Sequence, residues 1–252
     1  MNGSTLVVLD FDGVICDTID ECFVSSWIAY HSLHLKEALR PPARTIRNEF
    51  ARLRPFVRSG EDFVRIQEIL ATGARVTDQA GFDALTRQAG KEGRRRFREL
   101  FYQARTEMLE RDRDGWLALS RIYPHVIVAF AHLPREAPLY VLSTKKREFV
   151  EEIVRSEGIQ IPFEKILWSD QEPKLATVHR LLQEGGFPQA ILVDDQIDYL
   201  MANEDRRIRV YLAAWGYVQR EWLCEPLKVP VLAPQDLRPL LEEALAPARS
   251  TP

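Results

Sequence analysis

Two carboxylates stand one residue apart in Leu6-Val-Val-Leu-Asp10-Phe-Asp12-Gly13, directly behind an unbroken apolar run. Three further stretches carry groups of the same kind. Ser143-Thr144 follows the apolar run Leu139–Leu142, and Lys174 follows Glu172-Pro173. Asp194-Asp195, with Asp198 beyond, follows Ala190–Val193. Five carboxylates, Asp10, Asp12, Asp194, Asp195 and Asp198, would repel one another in a shared cavity and lose hydration there. A divalent cation resolves both costs. All-oxygen donors suit magnesium, which keeps some of its waters and takes phosphate oxygens as further ligands. Lys174 would add a point charge and Ser143 a hydroxyl for the remaining phosphate oxygens.

Such groups need a frame that brings them together. Four to five consecutive apolar residues bounded by turn residues read as strands buried on both faces, hence as a parallel sheet covered by helices. The strands expected are 6–9, 138–142, 165–168, 190–193 and 208–212, with helices between those from 138 onward. Alternating strand and helix predicts an α/β, doubly wound parallel sheet, which presents ligands at the carboxyl ends of its strands. Asp10 and Asp12 can face one cavity if the chain leaves strand geometry after Asp10, a turn that Gly13 permits.

Between about 15 and 120 nothing reads as a strand. Thr18-Ile-Asp-Glu21 has capping-box spacing, Pro41-Pro42 breaks a helix, and Ser59 with Asp62 marks another helix start. Lys91 to about Arg111 reads as a long helix whose arginines face water. His31 and His34 could share a helix face, but no third ligand is evident nearby, and they read as surface residues. The domain organisation expected is a discontinuous core, 1–16 with 120–252, interrupted by a helical domain, 17–119.

Composition narrows the function classes. Hydrophobic residues at 46% allow a proper core, and a net charge of −3 argues against a dedicated nucleic-acid binder. Cys16, Cys22 and Cys224 form no Cys-x-x-Cys pair and read as reduced thiols. With no run of 18 apolar residues and no signal-peptide pattern, the expectation is a soluble, cytoplasmic protein without a membrane partner.

The motifs together resemble the haloacid dehalogenase superfamily, in the phosphatase branch that includes phosphoglycolate phosphatase. Leu9-Asp10-Phe-Asp12-Gly13-Val14 is similar to the family's first motif throughout, and Ser143-Thr144-Lys145 stands where the family often has Thr-Asn-Lys. Lys174 and the acidic pair Asp194-Asp195 follow in the family's order, and Trp215-Gly216-Tyr217 resembles the loop after the last core strand. The resemblance covers about 1–17 and 120–222, and the helical insert corresponds to the family's cap in position alone. It implies a Rossmann-like core and Mg2+ as cofactor. Asp10 would be the nucleophile that forms an aspartyl phosphate. Asp12 would protonate the leaving alkoxide and then deprotonate the attacking water. Ser143 and Lys174 would hold the phosphate, and Phe11 and Thr144 would contact substrate. The acidic pair aligns with the metal position in two ways, through Asp194 or Asp195, and Asp198 reads equally as ligand or surface residue. An Asp at position 12 points to a phosphate ester, since by the same resemblance dehalogenases and phosphonatases lack it.

The function expected is therefore hydrolysis of a small phosphorylated metabolite. A phosphomutase of the same superfamily is the nearest alternative. A non-catalytic phospho-acceptor or binding protein is the alternative from another class. Receiver domains carry their acidic pair first and lack a long insertion after the first strand, and a degenerate member need not keep both Asp10 and Asp12. Within the insert, Arg54 and Arg58 flank a Pro-Phe turn and a Ser-Gly helix start, and are candidates to bind a second anionic group of the substrate.

Overall fold

The structure, a computed structural model, describes residues 5–34, 44–134, 136–170, 172–224 and 229–246. The helix break expected at Pro41-Pro42 and the His34 side chain lie outside them. In chain order the elements begin with β1 (Leu6–Leu9) and β2 (Cys16–Asp17). Six helices follow: α1 (Ile19–His34), α2 (Arg44–Leu53), α3 (Gly60–Thr72), α4 (Gln79–Gln88), α5 (Gly90–Arg111) and α6 (Arg113–Leu117). Then come β3 (Arg121–Ile122), α7 (Pro124–Phe130), β4 (Leu139–Ser143), α8 (Arg147–Ser156) and β5 (Ile166–Trp168). The chain continues through α9 (Lys174–Gly185), β6 (Ala190–Asp194), α10 (Ile197–Met201), β7 (Ile208–Ala213), β8 (Val231–Leu232) and α11 (Leu237–Leu245). It divides into two compact units, Met1–Asp17 with Arg121–Pro252, and Thr18–Ser120.

The first unit is an α/β sheet domain. Its six strands run parallel in the order β5-β4-β1-β6-β7-β8. All four residues of β1 are fully buried, because neighbours pair with it on both edges and helices cover both faces. Successive strands are laid down on one side of β1 (β4, β5) and then on the other (β6, β7, β8), so the order reverses at β1. A sheet of this kind opens its ligand crevice at that reversal. Register decides which residues meet there. Leu9 is level with Val193 and with Val141, so Asp10 emerges beside Asp194, and Ser143 ends the strand on the other side.

Beyond β1 the chain turns at once. The Phe11 carbonyl accepts from the N–H groups of Ile15 and Cys16, both at 2.9 Å, and Gly13 N donates to the Cys16 carbonyl at 2.8 Å. Gly13 takes a φ of +90°, which side-chain-bearing residues rarely adopt. The returning segment forms β2, and β3 pairs antiparallel with it (Cys16↔Ile122, Asp17↔Arg121). Chain exit and re-entry are thus held side by side.

Strands β2, β3 and β8 were not expected from the sequence. Each is two residues long, too short to show a period. β8 also lies between Pro230 and Pro234, which read as loop. Pro230 is tolerated because it contributes a carbonyl, accepting from Leu212 N at 2.9 Å.

The second unit is helical. Rings of Phe23, Phe50, Phe63 and Phe101 form its spine, at centroid spacings of 5.1, 6.1 and 5.1 Å. Ser59 and Asp62 close a capping box at the start of α3, and Gly73 ends that helix at φ +67°. At the start of the unit, Glu21 is fully buried against Arg105 of α5, whose Nε and Nη2 donate to its two oxygens at 2.7 and 2.8 Å. Ser25 Oγ donates to the same carboxylate at 2.8 Å and Trp116 Nε1 at 3.3 Å. Of the helix-face arginines read from sequence, Arg95 is exposed, whereas Arg98 pairs with the buried Glu61 at 2.8 Å.

Candidate active site

At the carboxyl end of the sheet, Asp10, Asp194 and Asp195 each offer an oxygen, all within 4.8 Å of one another, and all three are buried. Lys174, the first residue of α9, reaches between two of them. Its Nζ stands 2.9 Å from Asp10 Oδ1 and 2.7 Å from Asp194 Oδ2. Asp194 Oδ1 accepts from Gln196 N at 2.8 Å. The side chain of Lys174 is nearly sealed from water, at 3% exposure, so its charge is balanced by these carboxylates rather than by solvent.

The electrostatics follow from that burial. Desolvation pushes the Asp10 carboxyl well above its ordinary range. Lys174 opposes the shift, while Asp194, Asp195 and Asp12 reinforce it. Burial works against the Lys174 charge, but Asp10 and Asp194 outweigh it and hold the ammonium well above its usual value. Lys174 carries a single charge and faces both Asp10 and Asp194, with Asp195 beside them. A divalent cation would favour the ionised form of Asp10.

The donor set is all oxygen, anionic and converging, which fits a hard divalent ion such as magnesium. Among the described residues, Asp10, Asp194 and Asp195 form this group, and Asp12 and Asp198 stand outside it. Asp198 is exposed in the first turn of α10. Asp12 is buried, and its Oδ1 lies 3.0 Å from Lys145 Nζ.

Lys145 entered the sequence analysis only as the end of the Ser143-Thr144-Lys145 motif, with no role of its own. Its side chain is 1% exposed and points at Asp12, with the ammonium 5.8 Å from the centre of the Phe11 ring. The signal available was its place two residues beyond Ser143. Ser143 Oγ accepts from Lys145 N at 3.1 Å, so the hydroxyl organises this turn and keeps its own proton to donate. Thr144 is half-buried, and its carbonyl accepts from Trp168 Nε1 at 3.2 Å. The Phe11 side chain is fully buried.

Asp195 is fixed from two loops. Tyr217 N donates to Asp195 Oδ2 at 2.8 Å. A Cβ on Gly13 would fall 1.9 Å from that same oxygen. Arg54 and Arg58 both have partners within the helical unit. Arg54 is buried with its guanidinium 5.2 Å from the Phe63 ring centre, and Arg58 pairs with Asp83 at 2.7 Å. Cys16 and Cys22 are buried and Cys224 is exposed, all three outside any disulfide. Among the described residues no helix is long and apolar enough to cross a membrane.

No family model and no curated protein matches the sequence. Solved structures do match, at low identity and over nearly full length. A haloacid dehalogenase-like hydrolase from Streptococcus pneumoniae aligns at 16% identity with a TM-score of 0.59, over 95% of this chain and 98% of its own. A protein described as a predicted phosphoglycolate phosphatase from Haemophilus somnus aligns at 18% identity and TM-score 0.58, over 95% and 99%. A hydrolase from Pseudomonas syringae aligns at 17% and 0.56, over 95% and 98%. The chain has the fold of haloacid dehalogenase-like hydrolases: a Rossmann-like α/β core with a helical unit inserted after the first strand.

Proposed function

We propose that this protein is a magnesium-dependent phosphatase that hydrolyses a small phosphomonoester metabolite through an aspartyl phosphate. The observation that carries the reading is Lys174, a buried ammonium bridging Asp10 and Asp194 where the sheet order reverses. That arrangement suits neutralising a phosphoryl group beside a carboxylate nucleophile, and the fold's neighbours named as hydrolases and a phosphoglycolate phosphatase agree with it.

Asp10 attacks phosphorus with one carboxylate oxygen as the ester oxygen departs. Asp12 gives its proton to that oxygen and then takes one from the water that cleaves the acyl phosphate, returning Asp10 to a carboxylate. Lys145, 3.0 Å from Asp12 Oδ1, holds Asp12 in place for both steps. Ser143 donates its hydroxyl proton to a phosphate oxygen, and Lys174 neutralises charge on another. Asp10, Asp194 and Asp195 would hold the magnesium ion, with Asp12 and Asp198 as further candidates. When bound, the ion supplies charge neutralisation at the phosphoryl oxygens.

Substrate choice is assigned to the helical unit, with Arg54 and Arg58 as candidate contacts to a second anionic group, and Phe11 and Thr144 as contacts in the core. A cytoplasmic location is part of the same reading.

The test is a screen of phosphorylated metabolites for phosphate release, run with magnesium and with excess chelator. Release that needs magnesium and returns when magnesium is restored supports the reading, and full release in chelator overturns its metal dependence. Stability gives a second measure. A saturating ion at a hundred times its dissociation constant stabilises the native state by about 2.7 kcal/mol, which should appear as a higher melting temperature with magnesium than with chelator. Transfer of the phosphoryl group back to the same sugar, with no net release, would instead mark a mutase.

A further inference from the structure

The loop after β7 closes on the candidate metal site through one residue with two separate jobs. Tyr217 N donates to Asp195 Oδ2 at 2.8 Å, while the Tyr217 hydroxyl donates to Asp17 Oδ1 at 2.7 Å. Asp17 is the last residue of the sheet unit before the chain enters the helical one, and it is paired with Arg121 in the β2–β3 ladder. Trp215 of the same loop donates its Nε1 to the Val14 carbonyl at 2.9 Å, tying the loop to the turn after β1.

Sterics require the same closeness. A Cβ on Gly216 would lie 2.4 Å from the Asp195 Cβ and 2.7 Å from the Gly13 carbonyl oxygen. A Cβ on Gly13 would lie 2.7 Å from the Tyr217 ring as well as against the Asp195 carboxylate. Two glycines in two loops thus leave Asp195 a single seat, and Tyr217 sets the direction of its carboxylate within it. Any residue but proline could supply the N–H at position 217. Tyrosine adds the hydroxyl, whose charge-assisted bond to Asp17 anchors the far end of the ring.

We propose that Tyr217 is a positioning residue for the divalent ion: it aims Asp195 through its N–H and braces that N–H through the hydroxyl bond to Asp17. The inference rests on the metal-dependent reading above. It goes beyond it by assigning the aim of Asp195 to the loop after β7 and to the ladder where the chain leaves the sheet unit. Outer partners of metal ligands typically contribute about ten- to hundredfold in affinity, and this brace acts at the lower end of that range.

Calorimetric titration of Mg2+ into the whole protein tests it, using Tyr217→Phe, Asp17→Ala, the double variant and, for scale, Asp195→Asn. Each single brace variant should weaken Mg2+ binding by about tenfold. The double variant should bind no more weakly than either single one, because both remove the same bond. A merely structural role would lower metal-free stability and leave the Mg2+ affinity of the folded variants unchanged. Gly216→Ala, which leaves the brace atoms intact and pushes on Asp195, should also weaken the ion at least tenfold. Wild-type Mg2+ affinity in Tyr217→Phe, or losses that multiply in the double variant, would overturn the inference while leaving the phosphatase reading in place. A wild-type protein that binds no Mg2+ would overturn the metal-dependent reading and this inference with it.

Discussion

Asp10→Asn is expected to yield a folded protein whose turnover falls by about four orders of magnitude or more. The amide keeps the size and shape of the carboxyl but lacks the anionic oxygen that would attack phosphorus. The same change removes a donor from the group Asp10, Asp194 and Asp195, so it strikes both the nucleophile and the ion. Stability should move the other way. Asp10 sits in a buried cluster where desolvation and three neighbouring carboxylates oppose its ionisation. A neutral amide relieves part of that repulsion, and Lys174 keeps Asp194 as a partner at 2.7 Å. Thermal melts without metal should therefore place the variant level with the wild type or above it. Phosphate release by the purified variant within tenfold of the wild type would remove Asp10 from the role of nucleophile.

The core of this site was legible in the sequence because strand ends in a parallel sheet point one way. Unbroken apolar runs at 6–9, 139–142 and 190–193 located three neighbouring strands. The polar residue after or at the end of each run then had to lie on one edge of the sheet, which is where Asp10, Ser143 and Asp194 are found. Lys174 was legible as a helix start following Pro173. What the sequence concealed falls into two physical kinds. Some contacts use main-chain atoms, such as Tyr217 N to Asp195 and Trp215 to the Val14 carbonyl, and no side-chain pattern announces them. Others pair residues whose local context reads as exposed. Lys145 looks like a solvated residue at a helix start, yet it is sealed against Asp12. Arg105 occupies a helix rich in charge and Glu21 the acidic first turn of α1, and nothing local distinguishes either from a neighbour that faces water.

That last pair should dominate the stability of the helical unit. Glu21→Ala is expected to destabilise the protein by about 3–5 kcal/mol in chemical unfolding. The Glu21 carboxylate is fully buried and Arg105 is 1% exposed, so removing the anion strands a guanidinium with no water to receive it. The carboxylate holds the pair's charge nearby and draws the guanidinium above its usual range in spite of burial, which alone would lower it. Ser25 and Trp116 would lose an acceptor in the same step. Contacts of the Arg105 guanidinium with the Phe101 ring, 4.4 Å from its centre, cannot replace a counter-charge of that kind. The loss is attributed to an unpaired buried charge rather than to the deleted methylenes, and a second variant separates the two. Replacing both partners with apolar residues of similar volume, as in Glu21→Leu with Arg105→Met, should recover most of the stability. It removes the charge that Glu21→Ala leaves behind, although Ser25 and Trp116 still lack their acceptor and keep the recovery incomplete. A single-variant loss under about 1 kcal/mol, the size of an exposed ion pair, would show that water reaches Arg105 and that the pair does not pin α1 to α5.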